Sequence, residues 1–531
     1  MATPVNLDAL IPREDFEVDS ESDAPQSVVD RISIQNLEAR DFFFVTLRKP
    51  DFQRETADWT GKKICEFVQS FLDGDLIPAI ILWHSGSNNF VIDGAHRLSA
   101  LIAWVNDDYG DKVLSRAFFE DRIADEQIEV AESARKLVRK AIGTYEEHKF
   151  AVANPQKVTP ALLARSRRLA TLALQLQWVK GDATKAEASF FKINQQASPI
   201  DPTELKLLKA RKSPNAMAAR AIIRSGTGHK YWSKFEPDVQ QEIQTLAKAI
   251  NESMFAPKLS TPIKTLDLPV AGKGYSAQTL PLIFELVNVA NGVSAKSAKK
   301  TPPGEAFVVN ESNSPDPDTD GSETVQFLKN TKRIVDRICG NHPSSLGLHP
   351  AVYFYSASGR YQPTAFLAIV RLLQELDDEN LFGEFIRIRA ALETFLLEHK
   401  VFSNQVTIKY GSGTKGFGHL KNLLRTIFDL LRDGKATPEI LSSLAATSEF
   451  SYLQPAEKAP IRTGKDFDLD TKSATFLRDA LISPLRCKIC GGLIHSKSIS
   501  FDHVQRRAEG GLGDMSNAQL THPYCNTTVK N

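Results

Sequence analysis

The chain has 531 residues, 42% hydrophobic and 24% charged, a globular composition with room for three or four domains. A net charge of +1 excludes a surface that is basic throughout, so any grip on a polyanion must be local. No run approaches 18 uninterrupted apolar residues, which excludes an obvious membrane span, and the acidic start lacks a basic-then-apolar leader. Three of the five cysteines gather near the C-terminus and leave Cys65 and Cys339 without a partner by spacing, a usage that suits a reducing cytoplasm.

Residues 1–30 read as a polar, flexible lead. Strands and helices then alternate. Ile64, Phe67, Val68 and Phe71 recur at helical spacing within 60–74. Ile77–Trp83 and Phe90–Ile92 are short β-branched or aromatic runs joined by SGSNN, a hairpin signal, and the pattern turns helical from Arg97 to Trp104. Residues 112–252 are expected to be mainly helical, the amphipathic stretch 161–179 (ALLARSRRLATLALQLQWV) among them. Lys206, Lys209, Arg211 and Lys212 read as a solvated helix face. Residues 301–322 carry four prolines, five acids and no Lys or Arg, which marks an exposed linker. Residues 323–448 are helical again, with Phe382, Phe385 and Phe395 at core spacing. The domains expected are therefore 31–215, a helical extension 216–300, the linker, a helical domain 323–460 and a C-terminal module 475–531.

The segment 487–531 concentrates the chemistry. Cys487-x-x-Cys490 and His522-x-x-Cys525 are two ligand pairs able to close a tetrahedral Zn²⁺ site on a stretch too short for its own core. Between them lie Asp502-His503, Gly510-Gly511 and Asn517. Aspartate is a hard ligand suited to Mg²⁺ or Mn²⁺, and an imidazole can deprotonate water near neutral pH. Those are the parts that phosphodiester hydrolysis needs. The bland alternative is a structural zinc knuckle with Asp502-His503 as a turn pair and Asn517 as a cap. His495 is expected to be an exposed hairpin residue. Residues 481–531 hold six Lys/Arg against three acids, an excess suited to phosphates but not to one base sequence.

Over its whole length this segment resembles the HNH nuclease family, with its ββα-metal motif. The resemblance implies that His503 is the general base and that Asp502 holds the catalytic divalent ion. It also implies that Asn517 braces the loop and that Asn526, at the last family position, completes the metal site through its amide oxygen. Two departures stand out: the last histidine of the pattern is Asn526, and the second zinc pair opens with His522 in place of cysteine. The lysine that often follows falls one residue late, at Lys530, and is given no role.

A second constellation is Asp93-Gly94-Ala95-His96-Arg97. A strand stops at an aspartate, glycine permits a tight turn, and a helix begins with its N–H groups aimed outward at a natural anion site. Arg97 adds a bidentate donor. On the residues alone, Asp93 could equally cap the helix while Arg97 pairs with a surface acid. With Gln53-Arg54 upstream and Phe190–Gln196 downstream, the series resembles the ParB-like N-terminal domain of GmrSD-type and SspE-type restriction nucleases, over roughly residues 35–210. The resemblance implies a nucleotide site for ATP or GTP at Asp93, Gly94, Arg97, Gln53 and Arg54. Ala95-His96 stand where the family has glutamines.

The expected architecture is a multidomain α+β chain: a ParB-like α/β N-terminal domain, a mainly α-helical middle and a zinc-stapled HNH domain. The expected function is a nucleotide-regulated DNA endonuclease that restricts foreign or modified DNA in defence against phage. It would be cytoplasmic, with DNA and a nucleotide as partners, and homo-oligomerisation and partner proteins of a defence system left open. The alternatives are a mobile-element nuclease and a non-catalytic zinc-dependent DNA-binding regulator.

Overall fold

The computed structural model describes residues 3–14, 29–53, 55–197, 206–208, 210–274, 279–293, 315–455 and 467–530. Arg54, Lys209 and most of the 301–322 linker lie outside these residues. Two compact units emerge. One is Met1–Lys212 with Gly226–Lys234 and Tyr275–Pro281; the other is Ser213–Ser225, Phe235–Gly274 and Leu282–Asn531.

The first unit is organised by a mixed sheet ordered β1-β3-β5-β4-β6-β2. Its strands are β1 (Arg13–Glu14), β2 (Arg31–Ser33), β3 (Leu47–Pro50), β4 (Ile80–Ser85), β5 (Asn88–Asp93) and β6 (Ala173–Trp178). β4 and β5 form the expected hairpin, with Trp83 opposite Phe90. β3 runs parallel to β5, Arg48 opposite Phe90, so both strands end at the same edge. Among its helices are α1 (Gly61–Asp73), α2 (Ala95–Asn106), α3 (Asp125–Ile142), α4 (Pro160–Arg168) and α5 (Ala183–Ala197). The hydroxyl of Thr60 caps α1 by accepting from Lys63 N at 3.3 Å, and Gly74, at φ +82°, closes its other end.

Alternate residues of the hairpin face opposite cores. Leu82 and Val91 join Ile64, Val68, Leu98 and Leu101 in the larger core. Trp83, Phe90 and Ile92 join Phe52 and Phe190 in a smaller one. Each such side chain contributes roughly 1.5–3 kcal/mol on burial, which fixes the register, since a one-residue slip would exchange the two faces.

Two expectations fail here. The stretch 161–179 is not one helix: α4 ends at Arg168 and β6 follows. Leu174 and Leu176 are buried, Gln175 and Gln177 exposed, a period-two pattern embedded in a longer helical one. Pairing with β4 on one side and β2 on the other decides the outcome. Nor is the whole lead loose, for Val5, Leu7, Leu10 and Ile11 are buried in the larger core.

The second unit is mainly helical, with α6 (Pro214–Ile223), α7 (Pro237–Phe255), α8 (Ser322–Ile338), α9 (Pro363–Asp378), α10 (Phe382–Glu398) and α11 (Phe417–Arg432). α6, α7 and α8 pack together, as do α9 and α10 on α11. Phe382, Phe385 and Phe395 are core, as their spacing predicts. At the C-terminus, β7 (Ser500–His503) and β8 (Ala518–Thr521) form an antiparallel ribbon. A π-helical turn, Cys525–Val529, follows where a ββα motif would place an α-helix. Among the described residues no helix is long and apolar enough to cross a membrane.

Candidate active site

A hairpin turn and the π-helical end bring Cys487, Cys490, His522 and Cys525 together. All four are buried, and their ligand atoms lie within 4.8 Å of one another. Gly491, at φ +71°, donates its N–H to Cys487 O at 2.9 Å and so wraps the first pair around the site. Cys490 Sγ is 3.4 Å from His522 Nδ1, while His522 Nε2 donates to Leu493 O at 3.0 Å. That bond places the ring proton on Nε2 and turns the Nδ1 lone pair toward the sulfurs. Hydrogen bonds among the three sulfurs lower the Cys487 thiol and raise Cys490 and Cys525, so without an ion the negative charge gathers on one sulfur. A Zn²⁺ tetrahedron with bonds of about 2.3 Å has edges of about 3.8 Å, so this donor set fits zinc.

Twelve residues after Cys490, β7 presents Asp502 and then His503. The Asp502 carboxylate is 7% exposed, and its Oδ2 accepts from Gln519 Nε2 at 2.7 Å, the residue directly opposite on β8. Oδ2 also accepts from Lys530 Nζ at 2.8 Å, and the same ammonium donates to the carbonyls of His503 and Val504. Lys530 therefore belongs to the site, contrary to expectation. The π-helical turn explains its one-residue delay: Lys530 N donates to Cys525 O five residues back, and the wider turn absorbs the extra residue. Lys530→Met is expected to slow DNA cleavage roughly 10–100-fold while zinc is retained, the scale of losing a charged hydrogen bond. Nicking rates matching wild type would reduce Lys530 to a fastener of the C-terminus.

Asn517 braces the loop that β7 and β8 enclose. Its Oδ1 accepts from Gln505 N at 2.7 Å, and its Nδ2 donates to Gln505 O at 3.1 Å and Leu512 O at 2.8 Å. Gly511 lies beneath it, where a Cβ would come within 2.9 Å of that Nδ2 and 2.0 Å of Gln505 O. His503 is half-buried, and its Nε2 accepts from Arg507 Nε at 3.3 Å. Asn526 Nδ2 donates to Ser500 Oγ at 2.7 Å and Phe501 O at 3.3 Å. His495 is not exposed: it is 2% accessible and packs edge-on against His349. Burial lowers its tendency to protonate, and it lies outside the Asp502–His503 ribbon.

In the first unit, Gly94 takes φ +96° between β5 and α2, and a Cβ there would come within 2.5 Å of Ile80. Arg97 Nη2 pairs with Asp93 Oδ2 at 2.5 Å, and Nη1 donates to the carbonyls of Pro78 and Ala79. The arginine thus braces the turn. Gln53 follows the end of β3, beside the end of β5, and Phe52 shares the smaller core with Ile92. Gln53 is buried, and its Oε1 has no hydrogen-bond partner among the described residues.

The loop carrying Gln53 is held by buried charges that the sequence did not announce. Asp8 Oδ1 accepts from Arg13 Nη2 at 2.8 Å, Lys49 Nζ at 2.6 Å and Thr56 N at 3.1 Å, while Arg13 Nη1 donates to Gln53 O. Arg211 is no solvated residue either, pairing with Asp51 at 2.8 Å and Glu187 at 3.0 Å.

Residues 33–211 match the family described as GmrSD restriction endonuclease, N-terminal domain, and residues 487–531 match the HNH endonuclease family. The chain thus carries a GmrSD-type N-terminal domain and a C-terminal HNH endonuclease domain. No curated protein and no solved structure matches it. The HNH match covers the cysteine–histidine cluster, Asp502, His503 and Lys530, and the N-terminal match covers Gln53 and the Asp93–Arg97 turn. These two domains support a DNA endonuclease of restriction and phage defence.

Proposed function

We propose that His503 and Asp502 carry the hydrolysis, and that the N-terminal turn binds a nucleotide that controls it. The observation carrying the first part is the Asp502–His503 pair on β7, clamped by Gln519, Lys530 and the Asn517 brace beside a zinc-type cluster. His503 would take the proton of the attacking water as its oxygen bonds to phosphorus and the bond to the leaving sugar oxygen breaks; that oxygen is protonated from solvent. Asp502, whose Oδ1 has no protein partner among the described residues, and the Asn526 amide oxygen would hold Mg²⁺ or Mn²⁺. When bound, that ion would supply charge stabilisation for the phosphate. Lys530 would neutralise Asp502 and fix the strand end from which His503 projects. The Cys₃His site would be structural, with all four positions filled by protein.

The nucleotide reading is supported by the Gly94 turn at the start of α2, the convergence of Gln53 and Asp93 at one sheet edge, and the buried unpaired Gln53 Oε1. Phosphates would compete with Asp93 for Arg97. Control of cutting requires the nucleotide to favour one of two domain arrangements. Asp93→Ala and Arg97→Ala are expected to weaken ATP or GTP binding roughly 10–100-fold and to abolish phage restriction in cells. If both variants lose nucleotide yet restrict like wild type, the N-terminal domain is a scaffold.

A further inference from the structure

The zinc cluster does not stand alone. Its inner wall is α10, whose Arg389 and Glu393 are both 0% exposed and pair at 2.8 Å one helical turn apart. Arg389 Nε donates to Glu393 Oε1, and the remaining polar atoms of the pair turn to the cluster and the loop under it. Arg389 Nη1 donates to Leu346 O and lies 3.3 Å from His522 Nδ1, while Nη2 donates to Gly347 O at 3.0 Å. Glu393 Oε2 accepts from Leu493 N at 2.6 Å, and Leu493 O is the acceptor that orients His522. Glu393 Oε1 also accepts from Tyr353 OH at 3.1 Å. Glycines let the parts close. A Cβ on Gly492 would come within 2.3 Å of Arg389 Nε, and one on Gly347 within 2.6 Å of His522 Cδ2.

From this geometry we infer that Arg389 and Glu393 are positioning residues of the zinc site, and that through them the helical body sets the stability of the nuclease module. With a divalent ion bound, three thiolates would leave one uncompensated negative charge for the Arg389 guanidinium to offset. The planar fork reaches the carbonyls of Leu346 and Gly347 at once while lying beside the cluster, which a lysine cannot do. Glu393 keeps Arg389 in place and, through Leu493, holds the imidazole with Nδ1 toward the sulfurs. Hydrogen-bonded partners of this kind are worth about 10–100-fold in metal affinity. The module's metal is then retained by residues a hundred positions upstream, so movement of α10 would be felt at the nuclease end.

The inference rests on the zinc reading of the cluster, and the test separates the two. Full-length wild type, Arg389→Met, Arg389→Lys, Glu393→Gln and, as control, Leu423→Ala are assayed for bound zinc against increasing chelator. Cobalt-substituted samples report the thiolate charge-transfer band. Wild type without zinc overturns the underlying reading. With zinc in wild type, Arg389→Met, Arg389→Lys and Glu393→Gln should release it about 10–100-fold more readily, with a shifted cobalt band. Leu423→Ala empties core space in α11 and should lower thermal stability without either change. If Arg389→Met does not fold, Arg389→Lys and Glu393→Gln decide alone. Release and spectra equal to wild type, or equal to those of Leu423→Ala, overturn the inference.

Discussion

Replacing His503 with alanine is expected to lower DNA cleavage by ~10²–10⁴-fold, the usual cost of losing a general base, while zinc content and fold stay intact. The structure explains why the effect should be confined to chemistry. Lys530 grips the His503 backbone carbonyl, and Asp502 is held by Gln519 and Lys530, so none of these contacts uses the imidazole. The ring's one hydrogen bond among the described residues is to Arg507, which is exposed. Cleavage and zinc measured on the same preparation check this. A variant cutting near the wild-type rate would require a base outside the Asp502–His503 pair, and His495, 2% exposed, is poorly placed to meet substrate.

Cys490→Ser should have an equally large effect by a different route. Zinc content should fall from one ion per chain toward none, and cleavage should vanish with it. Apart from the cluster, the module has only a four-residue ribbon, short 3₁₀ turns and the π-helical end, too little to form a core. Metal binding to such segments supplies folding free energy on the order of 10 kcal/mol in isolated fingers. Here the module is also fastened to the helical body, through Tyr524 N to Ser345 O at 3.0 Å and Ser498 Oγ, which accepts from Gly340 N at 3.0 Å. Unfolding should therefore be local. Limited proteolysis is expected to cut within 487–531 and spare the helices; full protection with zinc retained would contradict the ligand assignment.

Much of this was legible in the residues because spacing encodes it. Two C/H-x-x-C pairs and an acid–histidine pair between them mark the nuclease segment, and alternating runs around SGSNN give the β4–β5 hairpin. Non-local decisions were not legible. β6 looks helical until β4 and β2 claim Leu174 and Leu176. The lead looks polar, yet Asp8 is neutralised inside by Arg13 and Lys49, which are distant or unremarkable in sequence. Arg389 and Glu393, four apart on a helix, look like an exposed pair and are wholly buried. Lys530 falls one residue late in the spacing, because a π-helical turn is invisible to a count that assumes regular helix.

The most direct test is cleavage of supercoiled plasmid and of modified and unmodified phage DNA by the purified full-length chain. Mg²⁺ or Mn²⁺ is supplied with and without ATP or GTP, beside His503→Ala. Nicked or linear product is expected from wild type in at least one nucleotide condition and strongly reduced from the variant. Zinc-replete protein that binds DNA yet leaves every substrate uncut under all these conditions would contradict a nuclease built on Asp502 and His503.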